Sequence, residues 1–120
     1  MSFSQIVIIG HIGNEPELKY TKNQTPVLTL SIGVPDKLSP NANSETKPKT
    51  HWHKCRRWGK LAEQVKPSLK KGDKLFIKGT LVYDSWQDKK GIYHKDAIIE
   101  IEHIEKMYFE NMTIDLDSFK

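Results

Sequence analysis

One cysteine, no apolar run of 18 residues and no complete set of metal ligands mark this 120-residue chain before anything it contains. A lone Cys55 forms no intramolecular disulfide and suits a reducing compartment. Without a long apolar run nothing is expected to span a bilayer as a helix. The N-terminal MSFSQIVIIG is too short for a leader and has neither a basic n-region nor a cleavage site. A cytoplasmic protein is therefore expected. Gly10 and Gly13 are not followed by the Lys-Ser/Thr of a phosphate-binding loop. His51, His53 and Cys55 alternate along one strand face, but zinc usually takes four ligands from at least two segments. No Cys-x-x-Cys or His-x-x-x-His completes such a set. Thiol chemistry lacks an evident orienting acid. No metal, no cofactor and no enzymatic activity are expected.

What is present is unevenly placed charge. The net charge of +4 and a pI near 9.1 are only mildly basic. Residues 1–46 carry net −1, residues 47–95 net +10, and residues 96–120 net −5. All three Trp lie in the basic segment. A basic stretch interleaved with aromatics is the electrostatic footprint of a polyanion binder.

His51–Ala62, HWHKCRRWGKLA, concentrates that signal. Its first eight residues read as a strand, whose side chains point alternately to opposite faces. Trp52, Lys54, Arg56 and Trp58 then share one face, in the order aromatic, basic, basic, aromatic. At roughly 3.3 Å per residue the two rings stand about 20 Å apart. Two Trp at this spacing also fit a core, but a core face would not hold two cations at its middle, because a buried unpaired charge costs several kcal/mol. Single-stranded nucleic acid fits such a face: bases stack on the rings and phosphates pass the cations.

The rest of the chain supplies a small β framework. Phe3–Gly10 reads as an apolar strand, and Gly10 and Gly13 allow a bulge or a close approach. Glu17–Thr21 is a short extended piece. In Val27–Val34, Leu28, Leu30, Ile32 and Val34 point to a core. Pro35–Thr50 is a long loop, and Lys60–Val65 a short helix limited by Pro67. Lys74–Ser85 is a strand bent at Gly79 and ended by Trp86. Asp88-Lys89-Lys90-Gly91 turns a hairpin. Ile92–Met107 is the last strand, with Ile98, Glu100, Glu102 and Ile104 alternating against Ile99, Ile101, His103 and Glu105. Three strands, a helix and two strands suggest an all-β chain with one short helix, the five-stranded OB-fold barrel; another small barrel would share that order.

Four segments in this order resemble the bacterial single-stranded DNA-binding proteins: VIIGHIGNEPELKY (Val7–Tyr20), HWHKCRRWGKLAE (His51–Glu63), LKKGDKLFIKGTL (Leu69–Leu81) and SWQDKKGIYHKD (Ser85–Asp96). The resemblance covers about Gln5 to Met107. It implies an OB-fold domain over residues 1–107, a homotetramer or at least a dimer, and coating of single-stranded DNA in replication, recombination and repair. It implies stacking on Trp52, Trp58 (where the family often has Phe) and Trp86. Lys19, Lys54, Lys60 and Lys71 become phosphate contacts, and Arg56 joins them from its place on the strand face. His53 becomes a subunit-interface residue, with the strand face that also bears His51 and Cys55 turned to the neighbouring subunit rather than to a core.

The chain also departs from that family. Val34–Pro40 has no aromatic, and Val82–Ser85 lacks the basic residues often found there; Arg56 and Arg57 stand where aliphatics are usual. Residues 108–120 form a short acidic tail, in which Asp115, Asp117 and Phe119 resemble part of a partner-docking tip but lack its Pro. Replication and repair proteins are the partners such a tip would take. Two other readings remain: a primosomal-type OB adaptor that binds protein, and an RNA-binding OB domain.

Overall fold

A computed structural model describes residues 1–36 and 49–108. Six strands appear: β1 (Ile6–Ile12), β2 (Glu17–Tyr20), β3 (Pro26–Pro35), β4 (Thr50–Trp58), β5 (Lys74–Gln87) and β6 (Tyr93–Met107), with helix α1 (Lys60–Val65) between β4 and β5. They pair in the order β1-β5-β6-β4-β3-β2, and β1 also meets β3. Five strands thereby close into a ring, while β2 continues the edge of β3 that β1 occupies further on. This is the OB architecture expected from the order of elements. No helix among the described residues is long and apolar enough to cross a membrane.

Alternation on β3 builds the core. Leu28, Leu30 and Ile32 are buried, together with Ile12, Leu75, Ile77, Ile99 and Ile101. Burying each such side chain contributes about 1.5–3 kcal/mol relative to exposure. Gly59, at φ +88°, turns β4 into α1, and its N–H donates to the Pro26 carbonyl at 2.9 Å. That turn seats Ala62 against the bottom of the ring, fully buried. Pro67 lies in a single 3-10 turn, Lys66–Ser68, that ends the helix.

Several expected boundaries move. β1 starts at Ile6 rather than Phe3, its ladder with β5 beginning at the Ile6–Gly79 pair, where β5 is bulged. The β3–β4 ladder runs out to the Pro35–Thr50 pair, so the loop is shorter than expected; residues 37–48 lie outside the described residues. Trp86 does not end its strand. It lies within β5, opposite His94, because the hairpin closes one step later through Asp88.

Two corrections concern faces. The expected bend at Gly79 is a β-bulge: Lys78 pairs with His103 but Gly79 with Ile101, so Glu102 is the extra residue. The bulge reverses the alternation, and Ile104 joins Ile77 on the core side instead of following Ile98 and Glu100. A Cβ on Gly79 would strike the Glu100 carbonyl, which explains the glycine. Cys55 is not on a subunit side; it pairs with Leu30 and is fully buried in the ring's interior. Burial pushes its thiol pKa up to about 12.

Candidate nucleic-acid interface

The β3–β4 register decides which side chains share the outer face. Val27 pairs with Trp58, Thr29 with Arg56, Ser31 with Lys54 and Gly33 with Trp52. Leu28, Leu30 and Ile32 fill the interior, so the four β4 side chains point outward as expected. β6 continues the sheet, with Lys54 beside Ile98 and Arg56 beside Glu100. β5 follows, placing Asp84 opposite Asp96 and Trp86 opposite His94. One outer face thus carries Trp52, Trp58 and Trp86, which are 59%, 42% and 47% exposed.

Each indole is held differently. Trp52 lies over two glycines: a Cβ added to Gly33 would come within 2.8 Å of its ring, and one on Gly13 would overlap it. The close approach expected at Gly13 is therefore made by Trp52. Trp58 has the Arg56 guanidinium 5.2 Å from its ring centroid. Its Nε1 donates to Glu100 at 3.5 Å. Trp86 stacks on His94, with centroids 4.4 Å apart and planes at 21°, and donates from Nε1 to Asp96 at 2.8 Å. His94 is itself held by Asp88 at 2.8 Å.

Charge on this face is partly internal. Arg56 donates from Nη1 to Asp84 at 2.6 Å and from Nε to Glu100 at 2.9 Å; its Nη2 also bonds Glu100. The side chain is only 17% exposed. Hydrogen bonding to Asp84 and Glu100 raises the guanidinium pKa, and the same bond holds Asp84 below the usual carboxylate range. Arg56 therefore sits among the expected phosphate contacts with two carboxylates already bound to it.

The lysines are more open. Lys54 is exposed and borders two shallow grooves, one lined with Asn14, Glu17 and Ser31, the other with Trp86, Asp96 and Ile98. Lys19 pairs with Glu17, at 3.4 Å in solvent, a pair worth little. Lys60 opens α1, two residues after Trp58. Lys71 is on a turn tied to the end of β1: Gly72 N–H donates to Ile12 at 2.9 Å, and Ile12 N–H to Asp73 at 2.9 Å. That end of β1 leads into Gly13 beneath Trp52. The lysines thus stand at both ends of the aromatic face and at its middle. His53 is half-buried, paired with Ile32 on the inward side. Asp115, Asp117 and Phe119 lie outside the described residues.

Gly33, Asp84, Glu100, His94 and Asp96 were not singled out from the sequence. The hairpin could have revealed three of them: a turn centred on Lys90 sets Trp86 opposite His94 and Asp84 opposite Asp96. Nothing local announces that Gly33 lies under Trp52.

A closed ring of five strands with one helix, carrying three exposed indoles on one face, defines an OB-fold protein. Residues 3–107 match the Single-strand binding protein family, and the chain belongs to it. It is 33% identical over 90 residues to Single-stranded DNA-binding protein 1 of Xylella fastidiosa (strain 9a5c), an alignment covering 75% of this chain and 66% of that relative. The match thus spans about two thirds of the relative's length.

Proposed function

We propose that this protein binds single-stranded DNA with little sequence preference and makes or breaks no bond in doing so. One observation carries the reading: three half-open indoles on one sheet face, with Lys54 among them. Bases stack on Trp52, Trp58 and Trp86, which any base can do because every base has a π-face. Lys54, Lys19, Lys60 and Lys71 meet phosphates. Arg56, bound to Asp84 and Glu100, sets Trp58 and steadies the sheet. Strand coating of this kind serves replication, recombination and repair in the cytoplasm. Asp115, Asp117 and Phe119 are the proposed docking residues for partners in those processes.

Assembly with further copies belongs to the same proposal. Among the described residues β1 meets β3 only at His11 and Ile12, which leaves most of one edge without a partner strand, and Val7 and Ile9 on it are exposed. A second copy covering that edge would remove two apolar side chains from water. His53 is the further contact expected in such an assembly. Light scattering at micromolar concentration should give a dimer or tetramer; a monomer overturns it.

The binding test is a titration with dT and U oligomers read by Trp fluorescence at several salt concentrations. Quenching is expected, with log K falling against log salt by about 0.7 for each phosphate neutralised. Lys54→Ala should lessen that slope. Absence of quenching with dT overturns the reading. Tighter binding of U than of dT would favour an RNA ligand.

A further inference from the structure

Trp86 is held differently from the other two indoles because the ring of strands does not seat it. Trp52 rests over Gly33 and Gly13, and Trp58 lies against Arg56. β1 borders β5 only as far as Gly79, and β4 borders β6 only from Ile98. Among the described residues, the pairs from Tyr83–Ala97 to Gln87–Tyr93 therefore have no further strand beside them. An indole left free to rotate there would lose that freedom on meeting a base, and the loss would weaken binding.

Its support comes from across the hairpin. Pairing sets His94 directly opposite Trp86, where cross-strand side chains are close enough to touch. The imidazole lies nearly flat on the indole, with centroids 4.4 Å apart and planes at 21°. Its Nε2 stands 2.8 Å from Oδ2 of Asp88. Oδ1 of Asp88 accepts the Lys90 and Ile92 N–H groups at 2.9 Å each, so the carboxylate is fixed to the turn. The bond to His94 is foremost among the influences that hold the Asp88 carboxyl below its usual range. At the edge of the indole, Nε1 donates to Asp96 at 2.8 Å. Turn, carboxylate, imidazole and indole form one continuous line of contacts. That line closes one face of Trp86. A base slipped between the two rings would need them about 7 Å apart, two layers of carbon contact.

We propose that His94 is a positioning residue for Trp86: braced by Asp88, it covers one face of the indole and presents the other to a single base. The inference rests on the proposed function and names what sets one of its stacking rings. Base, indole and imidazole then form a three-layer stack closed at one end. His94 acts through Trp86 and not by meeting the strand itself, since its Nε2 is already engaged by Asp88.

The test separates ring from bond and positioning from direct contact. His94→Phe keeps a ring without the bond to Asp88; His94→Gln keeps a hydrogen-bonding group without a ring; His94→Ala keeps neither. Each is compared with wild type on a labelled dT oligomer of about 16 nucleotides by anisotropy, with melting temperatures on the same samples. His94→Ala and His94→Gln should weaken binding about two- to tenfold, and His94→Phe should stay near wild type. Trp86→Ala should weaken binding by itself, and adding His94→Ala to it should cost nothing more. Only a residue that works through Trp86 gives that coupling, so the double variant decides even where His94→Ala lowers Tm. A loss that persists in the Trp86→Ala background overturns the inference, as does His94→Phe binding as weakly as His94→Ala. So does wild-type affinity in either His94→Ala or Trp86→Ala. Tighter binding by His94→Ala also overturns it, by putting the imidazole in the base's own place. Wild type failing to bind the oligomer would instead strike down the proposed function, and this role with it.

Discussion

Gly33→Ala tests whether the seat of Trp52 matters apart from the ring itself. An added Cβ would stand 2.8 Å from Cζ3 and 2.9 Å from Cη2 of the indole, and 3.1 Å from Cγ2 of Thr50. Carbon atoms in ordinary contact stand about 3.5–4.0 Å apart. The ring must therefore lift or tilt by nearly 1 Å. Gly33 is not among the residues with positive φ, so the backbone accepts alanine without strain. Losing glycine's freedom in the unfolded chain stabilises by about 0.4–1 kcal/mol, which offsets part of the crowding. Removing the ring altogether should cost about 1–3 kcal/mol of binding per stacked base. Displacing it should cost a fraction of that, about 1 kcal/mol. Gly33→Ala should then weaken binding of a dT oligomer several-fold with little change in Tm, and Trp52→Ala should weaken it further. Fluorescence titration and thermal melting of the same samples decide. Wild-type affinity in Gly33→Ala beside a weakened Trp52→Ala would refute the importance of the seat. Unchanged affinity in Trp52→Ala with a large loss of Tm would make Trp52 a structural residue and refute the reasoning entirely.

Arg56→Met should weaken DNA binding, because it leaves Asp84 and Glu100 uncompensated on the binding face; adding Asp84→Asn and Glu100→Gln should restore much of the loss, and no recovery would place the effect elsewhere. Arg56 depresses the Asp84 pKa from its ordinary 3.8, so the stability this pair contributes is present above about pH 4 and is lost as pH falls through the lower folded value. Acid titrations of melting temperature should therefore show a shallower limb in Asp84→Asn. Cys55 behaves oppositely in sign: its folded pKa of about 12 exceeds the ordinary 9.0, so above pH 9 the unfolded chain ionises first and stability declines. A maleimide at pH 8 should label Cys55 only after denaturation, and rapid labelling of native protein would contradict its burial.

Much of the site was legible because it depends on period 2. The outward set of Trp52, Lys54, Arg56 and Trp58 follows from alternation once β4 is recognised, and β3 gives its buried face in the same way. Gly79 announced a bend, yet the sequence could not say which strand carried the extra residue; Glu102 did, and the faces of Ile98 and Ile104 parted there. Cys55 was misplaced for a different reason. Its neighbours on that face, His51, His53 and Arg57, are polar, and only the pairing with Leu30 shows that the middle of the face is closed over by the ring. Pairwise partners across strands were out of reach for the same cause. Register between distant strands sets Asp84 and Glu100 on Arg56, and no local pattern encodes it.

That triad connects ring closure with the binding face. β4 and β6 meet in parallel over only three pairs, Lys54–Ile98 to Arg56–Glu100, and this short seam closes the ring. Parallel pairing is slightly weaker per residue than antiparallel pairing. Arg56 crosses the seam from β4 to Glu100 on β6 and reaches Asp84 on β5, so side chains reinforce a place where the backbone ladder is short. The same guanidinium lies against Trp58, and Glu100 also accepts from that indole. Closing the ring and setting one stacking platform therefore use the same atoms. The consequence for binding is directional: an arginine held by two carboxylates repels no phosphate but offers little to one. Under the proposed function the strand's charge would then be met at Lys54 and at the rim, by Lys19, Lys60 and Lys71, while the middle of the face is left to bases.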